Sequence, residues 1–138
     1  MDLAQKLANM RQAAAAEGLP FGDRTKTFNS RLAQELGKWA EEKGRGDAFH
    51  DAVFRAYFAD GKNIGKTDVL IELAGALDLS ATEAERVLQT REYKDAVDND
   101  WTRSRQMGVT AVPTFIFNRQ WAVGAQPYEV LARLVRGD

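Results

Sequence analysis

Residues 112–123 read VPTFIFNRQWAV, the one stretch of the chain in which β-branched and aromatic residues form two short runs. The Asn118-Arg119 pair separates the runs, so the stretch predicts a two-strand hairpin. Asn118 suits a two-residue turn, but a positive φ at Arg119 would cost about 1 kcal/mol or more, and a turn one residue longer is the alternative. Residues 115–117 are apolar on both faces, which is typical of a sheet covered on both sides. Two strands alone are marginal, so we expect this sheet to be incomplete.

Outside the hairpin, apolar residues recur at helical spacing, as in the set Leu3, Leu7, Met10 and Ala14. The cap and stop signals predict six helices before the hairpin and one after it. These helices are 3–17, one from a Thr27 cap to Gly44, one from an Asp47 cap to Gly61, one from Thr67 through Leu77, one from a Ser80 capping box to about Gln89, one from Tyr93 to Gly108, and 128–135.

Composition describes an ordinary globular protein of one domain's length. The chain has 138 residues, of which 44% are apolar and 28% charged, with 19 basic and 20 acidic side chains and a net charge of -1. That balance gives no general attraction to nucleic acid or to an anionic membrane, so we expect neither as a partner. No apolar run approaches the ~20 residues of a membrane span, and residues 1–6 lack a signal-peptide pattern, so we expect a cytoplasmic location.

Cysteine is absent and histidine occurs once, at His50. These two counts exclude disulfides, thiol nucleophiles and iron–sulfur clusters, and they leave no set of ligands for a zinc or histidine-based metal site. We therefore expect no catalytic residue, no cofactor and no metal in this chain. His50 is interpreted as a surface or edge residue.

The sequences GVTAVPTFIF at 108–117 and AVGAQP at 122–127 resemble the C-terminal half of DsbA-type thioredoxin-like oxidoreductases. The chain is most similar to the FrnE-like group, relatives of 2-hydroxychromene-2-carboxylate isomerase and kappa-class glutathione transferase. Gly124-Ala125-Gln126 favours the FrnE-like group among them. The match extends upstream through AAAAEGL at 13–19, TFN at 27–29, FRAYF at 54–58 with Gly61, and VL at 69–70.

The resemblance implies an α/β fold by family, although this chain is mostly α. It implies an N-terminal helix at 1–18, a helical insertion domain at 19–107, and at 108–138 the C-terminal part of the thioredoxin-like domain, a β-hairpin plus a helix. The family's N-terminal β-α-β half, which carries the Cys-x-x-Cys, has no counterpart in this sequence, so the fold is expected to be truncated.

The resemblance also implies a substrate-binding loop without a catalytic residue. In the family, the residue before a cis-proline pairs its backbone with an extended thiol substrate. The matching positions here are Val112 and Pro113, and Thr110 and Ala111 belong to the same loop. We therefore expect these four residues to bind substrate and the Val112–Pro113 bond to be cis.

Three functions stay open. The first is a DsbA/FrnE-type thiol–disulfide oxidoreductase-like protein, which would bind thiol or disulfide proteins but be redox-inactive on its own. The second is a non-catalytic binding or assembly module that forms a homodimer through an exposed strand edge or apolar surface. The third is a remnant of a glutathione-dependent isomerase or transferase, which would bind a glutathione-like substrate.

Overall fold

A computed structural model of the chain describes residues 2–138. Within that range it contains seven α-helices, one π-helical segment and two strands. In chain order they are α1 (Leu3–Ala16), α2 (Arg31–Glu42), α3 (Gly46–Phe54), the π-helical segment (Arg55–Ala59), α4 (Thr67–Gly75), α5 (Ala81–Thr90), α6 (Lys94–Gln106), β1 (Thr114–Phe117), β2 (Gln120–Val123) and α7 (Tyr128–Arg136). The chain divides into a helical unit that ends at Val97 and a hairpin unit, Asp98–Asp138.

The core of the helical unit lies where α2, α3, α4 and α5 pack together. Leu36 and Trp39 of α2, Phe49 of α3 and Leu70 of α4 are each at most 1% exposed. Trp39 also donates its indole N–H to Glu83 Oε1 at 3.1 Å, so its one polar atom is satisfied despite burial. The apolar residues that recur at helical spacing in the sequence therefore pack together in one closed core.

Local hydrogen bonds shift two predicted helix starts. α2 begins at Arg31 and not after a Thr27 cap, because Asn29 Oδ1 accepts from the backbone N–H of Arg31 at 2.8 Å and holds this segment in a turn. α3 begins at Gly46, so Asp47 lies in the first turn and is not the cap. The predicted Ser80 cap is confirmed, since Ser80 Oγ accepts from the N–H of Glu83 at 3.1 Å.

The helix that begins with α3 changes its hydrogen-bond pattern before it ends. In the π-helical segment, the N–H of Asp60 donates to the carbonyl of Arg55 at 3.0 Å. The preceding loop contacts this segment through Gly22, whose N–H donates to the carbonyl of Phe58 at 2.8 Å. A Cβ at position 22 would overlap the carbonyl oxygen of Ala59, so the close approach requires glycine.

The hairpin unit contains β1 and β2 in an antiparallel pair. Thr114 lies opposite Val123 and Phe117 lies opposite Gln120, which leaves a two-residue turn at Asn118 and Arg119. Their φ values, 48° and 66°, give a type I′ turn, so the longer-turn alternative is wrong. α7 packs against β2, and Ala122 is the one buried residue in Asp98–Asp138.

Candidate substrate-binding site

The loop at 108–113 joins α6 to β1 and begins with a fixed helix end. The N–H of Gly108 donates to the carbonyl of Arg105, and the N–H of Val109 donates to the carbonyl of Ser104, each at 3.0 Å. Gly108 has a φ of +86°, a left-handed conformation that ends helices and favours glycine. The chain therefore leaves α6 in a defined direction.

Two hydrogen bonds hold the other end of the loop on the hairpin. The carbonyl of Pro113 accepts from the N–H of Gly124 at 2.7 Å, just after β2. The hydroxyl of Thr114 donates to the carbonyl of Ala111 at 2.6 Å. The peptide bond between Val112 and Pro113 is cis. The loop is thus fixed to both strands by main-chain and side-chain contacts.

The loop presents its middle to solvent. Val112 is 89% exposed, and Thr110, Ala111 and Pro113 are also exposed. Within residues 2–138, no hydrogen bond to the N–H or carbonyl of Val112 is found. The four residues predicted from the resemblance therefore form one exposed, anchored loop, whose free main-chain groups have the chemistry to pair with an extended peptide.

Sequence reasoning missed the anchors of this loop. In the sequence, Gly124 was notable only as part of the family motif, yet its main-chain N–H donates to the carbonyl of Pro113. Gln126 likewise donates its side-chain amide to the carbonyl of Val123 at 2.7 Å and fixes the exit from β2. The GAQP motif was the available signal, but a hydrogen bond between residues eleven positions apart depends on the hairpin register, which the motif does not show.

The loop contains few reactive groups. Positions 108–113 carry no ionisable side chain and the chain has no cysteine, so the loop supplies no thiolate and no carboxylate or imidazole for acid–base chemistry. Among the described residues, no cluster of three or more His, Asp or Glu side chains could hold a metal ion. No helix in the described part of the chain is long and apolar enough to cross a membrane.

The most strongly held charge lies in the helical unit. Glu35 is 2% exposed and accepts from Arg91 at 2.6 and 2.8 Å and from Arg31 at 2.8 Å. The hydrogen bonds from Arg91 are the main reason that the pKa of Glu35 is lowered, and burial opposes them. This group joins α2 to the end of α5 and is part of the framework.

Tyr93 is a second residue whose pKa is shifted, and it also connects two helical segments of the framework. Burial, followed by a hydrogen bond to Glu42, raises the pKa of Tyr93 to about 12. Its hydroxyl donates to Glu42 Oε2 at 2.5 Å, which connects the segment before α6 to the end of α2. Neither shift belongs to the loop at 108–113.

The fold and this loop place the chain in a known class. Residues 3–136 match the family described as the DSBA-like thioredoxin domain, and the chain belongs to that family. The DsbA-like thioredoxin fold predicted from the sequence is thereby confirmed, in a chain that is mostly helical with one small two-strand sheet.

Among curated proteins, the chain is similar to the uncharacterized protein YwbO of Bacillus subtilis (strain 168). The two are 31% identical over 108 residues, which are 78% of this chain and 54% of that protein. The chain therefore spans about half the length of this relative.

Two solved structures are similar over nearly the whole chain. One is a probable DsbA oxidoreductase from Streptomyces coelicolor, with a TM-score of 0.87 and 34% identity over 99% of this chain and 62% of that one. The other is a putative protein disulfide isomerase from Nitrosomonas europaea, with a TM-score of 0.73 and 19% identity over 97% of this chain and 72% of that one. The second supports the fold alone.

Proposed function

We propose that this chain is the substrate-binding portion of a DsbA-family thiol–disulfide oxidoreductase and that it is redox-inactive on its own. The observation that carries the proposal is the exposed Val112 backbone, anchored on the hairpin in a chain without a thiol. Thr110, Ala111, Val112 and Pro113 hold the extended substrate. The attacking thiolate of disulfide exchange must come from another polypeptide segment.

Further assignments rest on the same resemblance. We place the chain in the FrnE-like group, with an N-terminal helix at 1–18, a helical insertion at 19–107 and the thioredoxin-like part at 108–138. We also propose a cytoplasmic location, as printed for one protein of similar fold, the cytosolic disulfide reductase DsbM of Pseudomonas aeruginosa, which is 23% identical to this chain.

A peptide-binding experiment tests the loop directly. The probe is oxidised glutathione, chosen because the DsbM structure contains glutathione. We expect it to shift the amide NMR signals of 109–112 in the ¹⁵N-labelled chain. Val112→Pro, which removes the main-chain N–H, is expected to weaken binding by about tenfold or more. The matched variant Val112→Ala keeps that N–H and should bind like the parent.

Two outcomes contradict this proposal. If Val112→Ala loses as much affinity as Val112→Pro, the side chain and not the backbone carries recognition. If signals outside 108–126 shift instead, the loop is not the site. A separate turnover assay with an oxidised peptide is expected to give no disulfide exchange by the chain alone, and measurable exchange would contradict its redox inactivity.

A homodimeric assembly module is the second candidate, favoured by the exposed apolar side chains of the hairpin. Phe115, Ile116, Phe117, Trp121 and Val123 are between 37% and 50% exposed. Paired strands or packed apolar faces from two copies would cover them. Sedimentation velocity should then show a dimer that Ile116→Lys converts to monomer, whereas a parent chain that stays monomeric at micromolar concentration contradicts this candidate.

A glutathione-dependent isomerase or transferase remnant is distinguished by its selectivity for glutathione. For this class, calorimetry should show glutathione binding more tightly than an unrelated cysteine-containing peptide, and loss of that binding in Val112→Pro would locate it near Val112. Equal or tighter binding of an unrelated cysteine-containing peptide favours the oxidoreductase assignment instead.

A further inference from the structure

A cavity of about 370 Å³ lies entirely within the helical unit and has no part in the loop at 108–113. It is bounded by the first turn of α2, the second half of α3 and the π-helical segment. Ligand sites in proteins typically measure about 300–1,000 Å³ and combine apolar walls with a few polar groups. We propose that this cavity binds a small, uncharged aromatic molecule that carries one hydrogen-bonding group.

The walls have the chemistry of an aromatic site. Besides Ala33, six large apolar or aromatic side chains line them: Phe28, Val53, Phe54, Tyr57, Phe58 and Ile64. The Phe28 and Tyr57 rings meet edge to face with centroids 6.3 Å apart, and Phe54 and Phe58 are tilted at the same distance. Phe54 is 59% exposed, so a bound ring would cover apolar surface that is now in water.

The polar groups of the cavity determine the charge of the ligand. Ser30, Gln34 and His50 line it, and Gln34 Nε2 donates to Ser30 Oγ at 2.9 Å. None of the lining residues is a lysine, arginine, aspartate or glutamate, and His50 already has a carboxylate partner outside the lining, with its Nε2 3.3 Å from Glu41 Oε1. Because an ion enters an apolar site only at a large desolvation cost unless it is paired, the ligand is neutral and bonds through one polar group.

The aromatic walls are held in place before any ligand arrives. Arg24 Cζ lies 4.0 Å from the centroid of the Tyr57 ring, and Arg24 Nη1 donates to the Tyr57 hydroxyl at 2.6 Å. Tyr57 and Phe58 both belong to the π-helical segment, a distortion that occurs frequently at functional sites. A preorganised wall reduces the ordering cost of binding.

A neighbouring cavity of about 360 Å³ on the other side of Phe54 and Phe58 provides a contrast. It includes Asp51 and Arg55, and so carries charges of both signs. The uncharged lining is therefore specific to the first cavity. Selectivity against charged aromatic compounds follows from this difference.

An NMR titration of the intact chain tests the proposal with three matched probes: p-cresol, toluene and benzoate. We expect p-cresol to bind with a Kd of about 1 mM or lower, toluene to bind about tenfold more weakly, and benzoate not to bind at about 10 mM. Intermolecular NOEs from p-cresol should reach the methyl groups of Val53 and Ile64. NOEs to Ile116 or Val123 instead, no NOE at all, or benzoate binding as tightly as p-cresol would overturn the proposal.

A substitution that fills part of the cavity gives the second test. Val53→Phe places extra volume against the ligand, and the same change at the exposed Val135 of α7 is the matched control. We expect Val53→Phe to weaken p-cresol binding by at least about tenfold and Val135→Phe to leave it within about twofold. If Val53→Phe retains full affinity while folded by circular dichroism, the proposal is wrong. If it does not fold, the NOEs of the parent chain decide.

Discussion

The helical unit and the hairpin unit differ in how completely they cover their apolar residues. In the helical unit, Leu36, Trp39, Phe49 and Leu70 are at most 1% exposed. In the hairpin unit, residues 115–117 of β1 are 37–40% exposed and Ala122 alone is buried. Strand β1 therefore leaves apolar surface in contact with water, whereas the core of the helical unit is closed. In the helical unit, the helices cover one another's apolar side chains.

Removing a phenyl ring from each unit gives the largest expected contrast. Phe49→Ala should lower the free energy of unfolding by about 3–5 kcal/mol, because Phe49 is wholly buried and its loss leaves a cavity. Phe117→Ala makes the same chemical change at a residue that is 40% exposed, and should cost about 1–2 kcal/mol. Urea denaturation followed by far-ultraviolet circular dichroism measures both. Equal losses would show that the hairpin is as well packed as the helical core.

The acidic side chain at the centre of the helical unit makes its stability depend on pH. The folded state lowers the pKa of Glu35 below its ordinary value of 4.5. Its contribution is therefore present above that value and is lost as the pH falls through the folded pKa. We expect Glu35→Gln to cost about 2–3 kcal/mol at pH 7, less than a fully buried pair would lose, since Arg91 is 41% exposed.

Thermal denaturation across pH measures this effect. The parent chain should lose Tm as the pH falls below 4.5, and the loss should be shallower in Glu35→Gln. Glu83 also has a lowered pKa, caused first by its hydrogen bond with Lys43, so part of the slope will persist. Parallel curves for the two proteins would mean that Glu35 does not contribute.

Two matched glycine-to-alanine substitutions test how tightly the loop at Gly22 packs on the π-helical segment. Gly22→Ala forces a methyl group against the carbonyl oxygen of Ala59 and should cost about 1–3 kcal/mol. Gly75→Ala meets no atom within 4 Å at the end of α4, and should be neutral or stabilise by about 0.5–1 kcal/mol. Chemical denaturation separates the two. A neutral Gly22→Ala would show that this loop gives way easily.

Sequence reasoning succeeded where a periodic pattern or a short-range signal determines structure. The apolar spacing of α2 and the Ser80 cap are of this kind, and both are observed. It failed at Asn29, because a side-chain hydrogen bond competes with the first helical turn. It missed the π-helical segment, which the loop at Gly22 contacts from more than 30 positions away. Family resemblance indicated the 108–113 loop as a substrate-binding site, which stays a prediction, and the anchor of this loop at Gly124 depends on strand register.

The turn of the hairpin offers the smallest and most local test of the comparison. Arg119 has a φ of 66°, a conformation that costs an L-residue about 1–2 kcal/mol and glycine little. Arg119→Gly should therefore stabilise the hairpin by about 1 kcal/mol, since Asn-Gly is a preferred type I′ pair. Hydrogen exchange at the Phe117 and Gln120 amides measures this, and Arg119→Lys is the control because it keeps the Cβ. If Arg119→Gly slows exchange at the Phe117 and Gln120 amides and leaves exchange at the Leu36 and Leu70 amides unchanged, the hairpin opens independently of the helical core. Slower exchange at all four amides would contradict that independence, because the two units would then open together.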